Sequence, residues 1–145
     1  MKRGTGKVYC WIAVTGKPKD RVYEQLSLRG TGEHEDFPDS PIVGTSLPSN
    51  AILIVTDHAA QAILNRTALM QLSADCKLIA CSVEEHCMVS TVSEWKLGQR
   101  TWSVQHDCDR GLFHLEQQGD VPVNLSPIYQ SHRAKQEAAG GEKAK

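Results

Sequence analysis

Residues 78–117 constrain the fold more than any other stretch of the chain. Leu78–Val83 is a short apolar run. Cys87–Lys96 alternates, with Val89, Thr91, Ser93 and Trp95 on one side and Met88, Ser90 and Val92 on the other. Arg100–His106 alternates again, and Leu112–Glu116 returns after the polar turn Asp107–Gly111. Successive side chains of a strand point to opposite faces, so this two-residue period predicts strands rather than helices. Leu97-Gly98 supplies a tight turn, with glycine accepting positive φ. The pattern predicts a β-meander in the C-terminal half, with Trp95 and Trp102 pairing across the hairpin.

The N-terminal half alternates strands with short helices. Val8–Thr15 (VYCWIAVT) is β-branched and aromatic and reads as a strand that Gly16 ends. Val22 and Leu26 recur at helical spacing after Pro18, which predicts a helix over 18–27, with Arg29–Gly32 as its cap and turn. Residues 33–50 hold Pro38, Pro41 and Pro48 and read as a loop with a short strand at Ile42–Val43. Ala51–Thr56 (AILIVT) is continuously apolar and predicts a strand buried on both faces. Asp57 is expected to cap the turn that follows. Residues 59–65 are read as a helical turn, and Thr67 as the N-cap of a helix through Ala74 that buries Leu69, Met70 and Leu72. After Pro122 and Pro127, residues 128–138 read as a weakly amphipathic helix, with a mobile tail from Gly140. The order β-α-(β)-β-α-β-β-β-β-α implies an α+β domain, mainly antiparallel, with helices packed on one face. Residues 1–126 form the expected domain and 127–145 its C-terminal helix and tail.

Composition narrows the function classes. A net charge of −1 gives no global field for nucleic acid or an anionic membrane. Nucleic-acid binding is further disfavoured because aromatics are only 6% and bases cluster only near the N-terminus and in the tail. Residues 1–21 carry six bases against one acid, and residues 33–39 carry four acids and no base. Both segments read as solvated, or else as a partner surface. No run approaches the roughly 18 apolar residues of a membrane span, and no signal-peptide stretch follows the basic start, so a soluble cytoplasmic protein is expected. Five cysteines without a CxxC pair argue against a disulfide framework, and Cys10 and Cys81 read as core residues.

Reactive side chains gather at two turns. Glu84, Glu85 and His86 stand at the first; His106, Asp107, Cys108 and Asp109 stand at the second. Carboxylates and imidazoles converging there would ligate a metal or share a proton, and strand counting puts both turns at one end of the meander. Cys87 and Cys108 are the candidate nucleophiles; His86 diverges from Cys87 in a strand, and His106 points the same way as Cys108 unless the turn breaks the strand. Asp107 and Asp109 also fit an ordinary role as turn caps. The glycines of Arg29–Glu33 follow a helix and lack the lysine of a phosphate loop. No complete catalytic set or cofactor motif is present. The expected function is therefore a non-enzymatic binding or interaction module, acting on a protein partner or on itself as a homodimer through exposed edge strands. The alternative is a metal-dependent or acid–base hydrolase using the His86 and His106 turns.

Three segments, Leu26–Glu33 (LSLRGTGE), Ala80–His86 (ACSVEEH) and Trp95–Asp107 (WKLGQRTWSVQHD), resemble a family of small uncharacterised bacterial proteins. The resemblance spans most of the chain and implies a bacterial, cytoplasmic protein. It carries no activity, cofactor, partner or functional residue. The ending GGEKAK closes no element, so the chain is also read as a possible piece of a larger protein.

Overall fold

The sheet is built outward from its first strand. A computed structural model describes residues 8–30, 41–58, 60–85 and 88–139. Strand β1 (Val8–Thr15) lies between β3 (Ile52–Thr56) and β4 (Lys77–Glu84), antiparallel to both. Strand β2 (Ile42–Ser46) extends the sheet beyond β3. On the other side β5 (Val89–Lys96), β6 (Gln99–Asp107) and β7 (Glu116–Gly119) follow β4 in chain order. Among the described residues the result is one seven-stranded antiparallel sheet of order β2-β3-β1-β4-β5-β6-β7. With helices α1 (Lys19–Gln25), α2 (Arg66–Leu72) and α3 (Leu125–Ala138), the class is α+β and the element order is the one the sequence predicts. The expected loop over 33–40 and the tail from Gly140 lie outside the described residues.

The core forms on one face, here called the near face. Ile12 stands opposite Ile54 and Ala80, and Val14 opposite Ile52 and Leu78, so these residues share a face. Trp95 joins them opposite Leu78. They cluster with Val22 of α1, its C-cap Leu26, and Leu69 and Leu72 of α2. Full burial of each such side chain contributes about 1.5–3 kcal/mol relative to exposure. Tyr23 packs against the cluster, and burial pushes its phenol pKa above the ordinary value. A side chain at Gly44 of β2 would meet the Tyr23 hydroxyl, so a larger residue there requires Tyr23 to move.

Several local expectations change. Ile52, Ile54 and Thr56 are buried but Leu53 and Val55 are only half-buried, so β3 is enclosed on one face rather than two. Its continuous apolar run serves two different faces. Trp95 and Trp102 do not pair. A bulge between Glu94 and Trp95 sets Trp102 opposite Glu94, and the two indoles lie on opposite faces. Trp95 is 4% exposed and its Nε1–H donates to Ser93 Oγ at 3.0 Å. Asn65, not Thr67, caps α2: its Oδ1 accepts from Ala68 N–H at 2.9 Å, and its Nδ2 donates to Ala62 O at 2.8 Å. Asp57 caps its turn as expected, accepting from Ala60 N–H at 3.1 Å. The last strand begins at Glu116, not Leu112, because residues 111–115 fold back on the end of β6.

Lys17, read from the sequence as part of a solvated basic start, is buried instead, with its side chain 3% exposed. Gly16, at φ +91°, turns the chain inward just before it. The ammonium donates to Leu72 O at 2.8 Å and to Gln25 Oε1, and it pairs with Asp75 Oδ1 at 2.8 Å. Three donors meet three acceptors, which satisfies a buried cation. The contact fastens the end of β1 to α1, to the last turn of α2 and to the 73–75 turn. Lys17 holds the Asp75 carboxyl below the usual carboxylate range, first through its hydrogen bond and then by charge.

Two outcomes follow from this buried lysine. Lys17→Met is expected to lower unfolding stability by about 2 kcal/mol, the scale of hydrogen bonds to a charged group. A denaturant midpoint equal to the parent's, at unchanged slope, would contradict this. A lowered folded-state pKa means that ionised Asp75 stabilises the fold above the ordinary aspartate value, and that the effect fades as pH falls through the lowered value. Asp75→Asn is therefore expected to be less stable than the parent at pH 7, with the difference shrinking in the acid range. A constant difference down the whole acid limb would refute the pairing.

Candidate functional site

The structure separates the residues that the sequence gathers. Val8, Glu84, Val89 and Asp107 form one register row across β1, β4, β5 and β6, so the first and third turns of the meander lie at the same end of the sheet. Residues of one row share a face, and Glu84 and Asp107 stand two strands, or roughly 10 Å, apart with Val89 between them. His106 precedes Asp107 by one residue and takes the opposite face. Glu85 is exposed in the turn after β4, and Cys108 is exposed in the single helical turn Cys108–Arg110. His86 and Cys87 lie outside the described residues. Asp107 does what the ordinary reading expects: its Oδ1 accepts from Asp109 N–H at 3.0 Å and caps the turn. Among the described residues no three His, Cys, Asp or Glu side chains are grouped as a metal site would require.

His106 instead builds a clamp with His114. Its Nδ1 lies 2.7 Å from His114 O, and a carbonyl only accepts, so this nitrogen carries the proton. Asp107 N–H lies 3.0 Å from His114 Nδ1 and only donates, so that nitrogen accepts and the ring proton sits on Nε2. The two bonds fold residues 111–115 onto the end of β6 and keep them out of the sheet. Gly111, at φ +129°, makes the reversal.

Helix α3 packs over this fold-back and contributes no buried residue of its own. The Tyr129 hydroxyl donates to Phe113 O at 2.6 Å. The Arg133 guanidinium sits 4.6 Å from the Phe113 ring centre, within cation–π range. Between helix and fold-back lies a cavity of about 260 Å³, lined by Leu112, Phe113, Leu115, His106, His114, Tyr129, His132, Arg133 and Gln136. The α3 residues of this lining escaped the sequence reading. Their signal was the spacing 129, 132, 133, 136, which is one helix face, but its side chains are polar and do not score as an apolar stripe.

A larger feature lies on the far face of the sheet. One register row runs Val43, Val55, Trp11, Cys81, Val92, Val104 and Gln117 across all seven strands. Six successive strands thus present an apolar side chain in line. The adjacent row adds the apolar residues Leu53, Ala13, Ile79 and Trp102, with Glu94 between the last two. All of these apolar residues are half-buried and none belongs to the core cluster. The near face shows the reverse on the outer strands: its central row passes from Ile54, Ile12 and Ala80 to Ser93, Ser103 and Gln118. On β6 the apolar side chains Trp102 and Val104 therefore point away from the core, while β5 divides its own, Trp95 to the core and Val92 to the far face. Burial pushes the Cys81 thiol pKa above its ordinary value, and Cys10 adds to the shift, so Cys81 is no activated nucleophile.

Tyr129→Phe is expected to loosen α3 while leaving the sheet intact, since it removes the bond to Phe113 O. Faster amide exchange confined to residues 125–138 would bear this out, and unchanged exchange would refute it. Comparison with protein-family models, curated proteins and solved structures finds no match to this chain.

Proposed function

We propose that the chain is a non-enzymatic binding module that pairs with a second copy of itself through the far face of its sheet. The observation that carries this reading is the apolar row from Val43 to Val104. Five strand spacings make it roughly 24 Å wide, a scale at which exposed apolar patches mark interaction sites. In this reading α1 and α2 serve one face of the sheet, and the C-terminal meander extends the other as a docking surface. A sheet whose outer strands turn Val92, Val104 and Trp102 away from the core gains from a cover, because apolar area removed from water is worth about 25 cal/mol per Å².

A second copy suits the face for two reasons. The central row holds no formal charge, and a uniform apolar strip is complementary to itself across a two-fold axis. Glu94 stands in the row beside the central one, its Oε1 accepting from the Thr101 hydroxyl at 2.7 Å, and Lys77 and Lys96 lie adjacent toward one end. An axis lying in the face and perpendicular to the strands sets those lysines against the His106 end of the partner, so like charges do not meet. Stacked sheets pack about 10 Å apart in such an arrangement. The edge strands β2 and β7, of five and four residues, are short and offer less than the face does. The hydrolase alternative draws less support, since Glu84 and Asp107 share one face and His106 takes the other.

Sedimentation equilibrium is expected to give twice the 16.0 kDa chain mass. Val92→Lys is expected to sediment as a folded monomer, because its ammonium would be buried in the centre of the interface. Gln117→Lys, at the end of the row, should remain dimeric. A parent protein that stays monomeric at several hundred micromolar, or a Val92→Lys variant that still pairs, would overturn the proposal.

A further inference from the structure

We propose that the cavity between α3 and the 111–115 fold-back binds a small organic carboxylate with a planar apolar body. The chemistry of the lining carries this. Among the described residues it holds a permanent cation, Arg133, together with three imidazoles, and no carboxylate side chain. Leu112, Phe113 and Leu115 supply apolar walls. A site that joins a cation and donors to hydrocarbon walls selects an amphipathic anion, because a neutral molecule offers the guanidinium no charge beyond its exposed contact with Glu137 and a fully hydrated anion leaves the walls wet.

The hydrogen bonds around the cavity prepare the donors. Because His114 Nδ1 accepts from Asp107 N–H, its remaining ring N–H is Nε2–H, a donor available to an oxygen. Arg133 is held by the Phe113 ring at 4.6 Å and reaches Glu137 at only 3.6 Å, with both side chains well exposed. An exposed ion pair of this length contributes little, so a carboxylate in the cavity displaces Glu137 at small cost. The guanidinium fork then takes the ligand in two parallel bonds. At about 260 Å³ the cavity lies just under the usual range for ligand pockets, which points to a molecule of one aromatic ring.

Benzoate is the probe, titrated calorimetrically into the full chain, with benzamide as its neutral counterpart and inorganic phosphate as a hydrated anion. Benzoate is expected to saturate below about 10 mM and to bind about tenfold more tightly than either. Arg133→Gln should cost benzoate about tenfold and leave benzamide unchanged, while Arg133→Lys, which keeps the charge without the fork, should fall between. Proton–nitrogen spectra of the imidazoles should show benzoate shifting His106, His114 and His132 in the parent protein. These readouts do not depend on pairing between copies, so failure of one proposal leaves the other standing. Absent saturation, equal affinity for benzamide or phosphate, or imidazole signals unmoved by benzoate would each overturn the assignment.

Discussion

Side chains of a strand alternate, so a sheet has two faces and each must meet something. In this protein that constraint orders everything else. The helices α1 and α2 give Val22, Leu69 and Leu72 to the near face, over β3, β1 and β4. Beyond β4 the central row of the near face turns to Ser93, Ser103 and Gln118, with Trp95 still in the core, and Val92, Val104 and Trp102 stand on the far face. The far face thus keeps an apolar side chain on each strand from β2 to β6, while the central row of the near face loses its own beyond β4. A monomer with one wet face keeps its apolar residues inward along every strand; here even the central strands set Val55, Trp11 and Cys81 on the far face.

The near face is closed by a polar device as well as by packing. Lys17 emerges from β1 into the core and ends among the Leu72 carbonyl, Gln25 and Asp75. A buried ammonium is costly unless all its protons find acceptors, and these three acceptors exist only when α1, α2 and the 73–75 turn are all in place. The lysine therefore contributes specificity of arrangement in addition to stability. The His106–His114 clamp plays a comparable part at one end of the sheet, where it folds residues 111–115 onto the end of β6 and gives α3 a surface to rest on.

Much of this architecture is legible in the sequence, and the losses have physical causes. Period-two alternation identifies β5 and β6, and the β-branched run identifies β1 with its observed bounds. The AILIVT run reads as doubly buried because a sequence does not distinguish a covered face from an uncovered one. Lys17 reads as solvated because only tertiary contacts supply its acceptors. Leu112–Leu115 reads as strand because the bonds that hold it out run between His106, Asp107 and His114. The candidate site shows the same limit. Glu84, His106 and Asp107 cluster in the chain and at one end of the sheet, yet the alternation that makes them strand residues places His106 on the other face. His132 and Arg133 lie on a helix face defined by polar side chains, a pattern that a solvated helix shares.

The central claim is that the far face is covered in solution, and residue-resolved hydroxyl-radical footprinting reads that cover directly. Trp11 and Trp102 lie on the far face and Trp95 lies in the core, so one protein carries both the probes and their control. The account predicts that Trp11 and Trp102 are oxidised more slowly in the parent protein than in its Val92→Lys variant, while Trp95 is protected equally in both. Equal oxidation of Trp11 and Trp102 in the two proteins would contradict it.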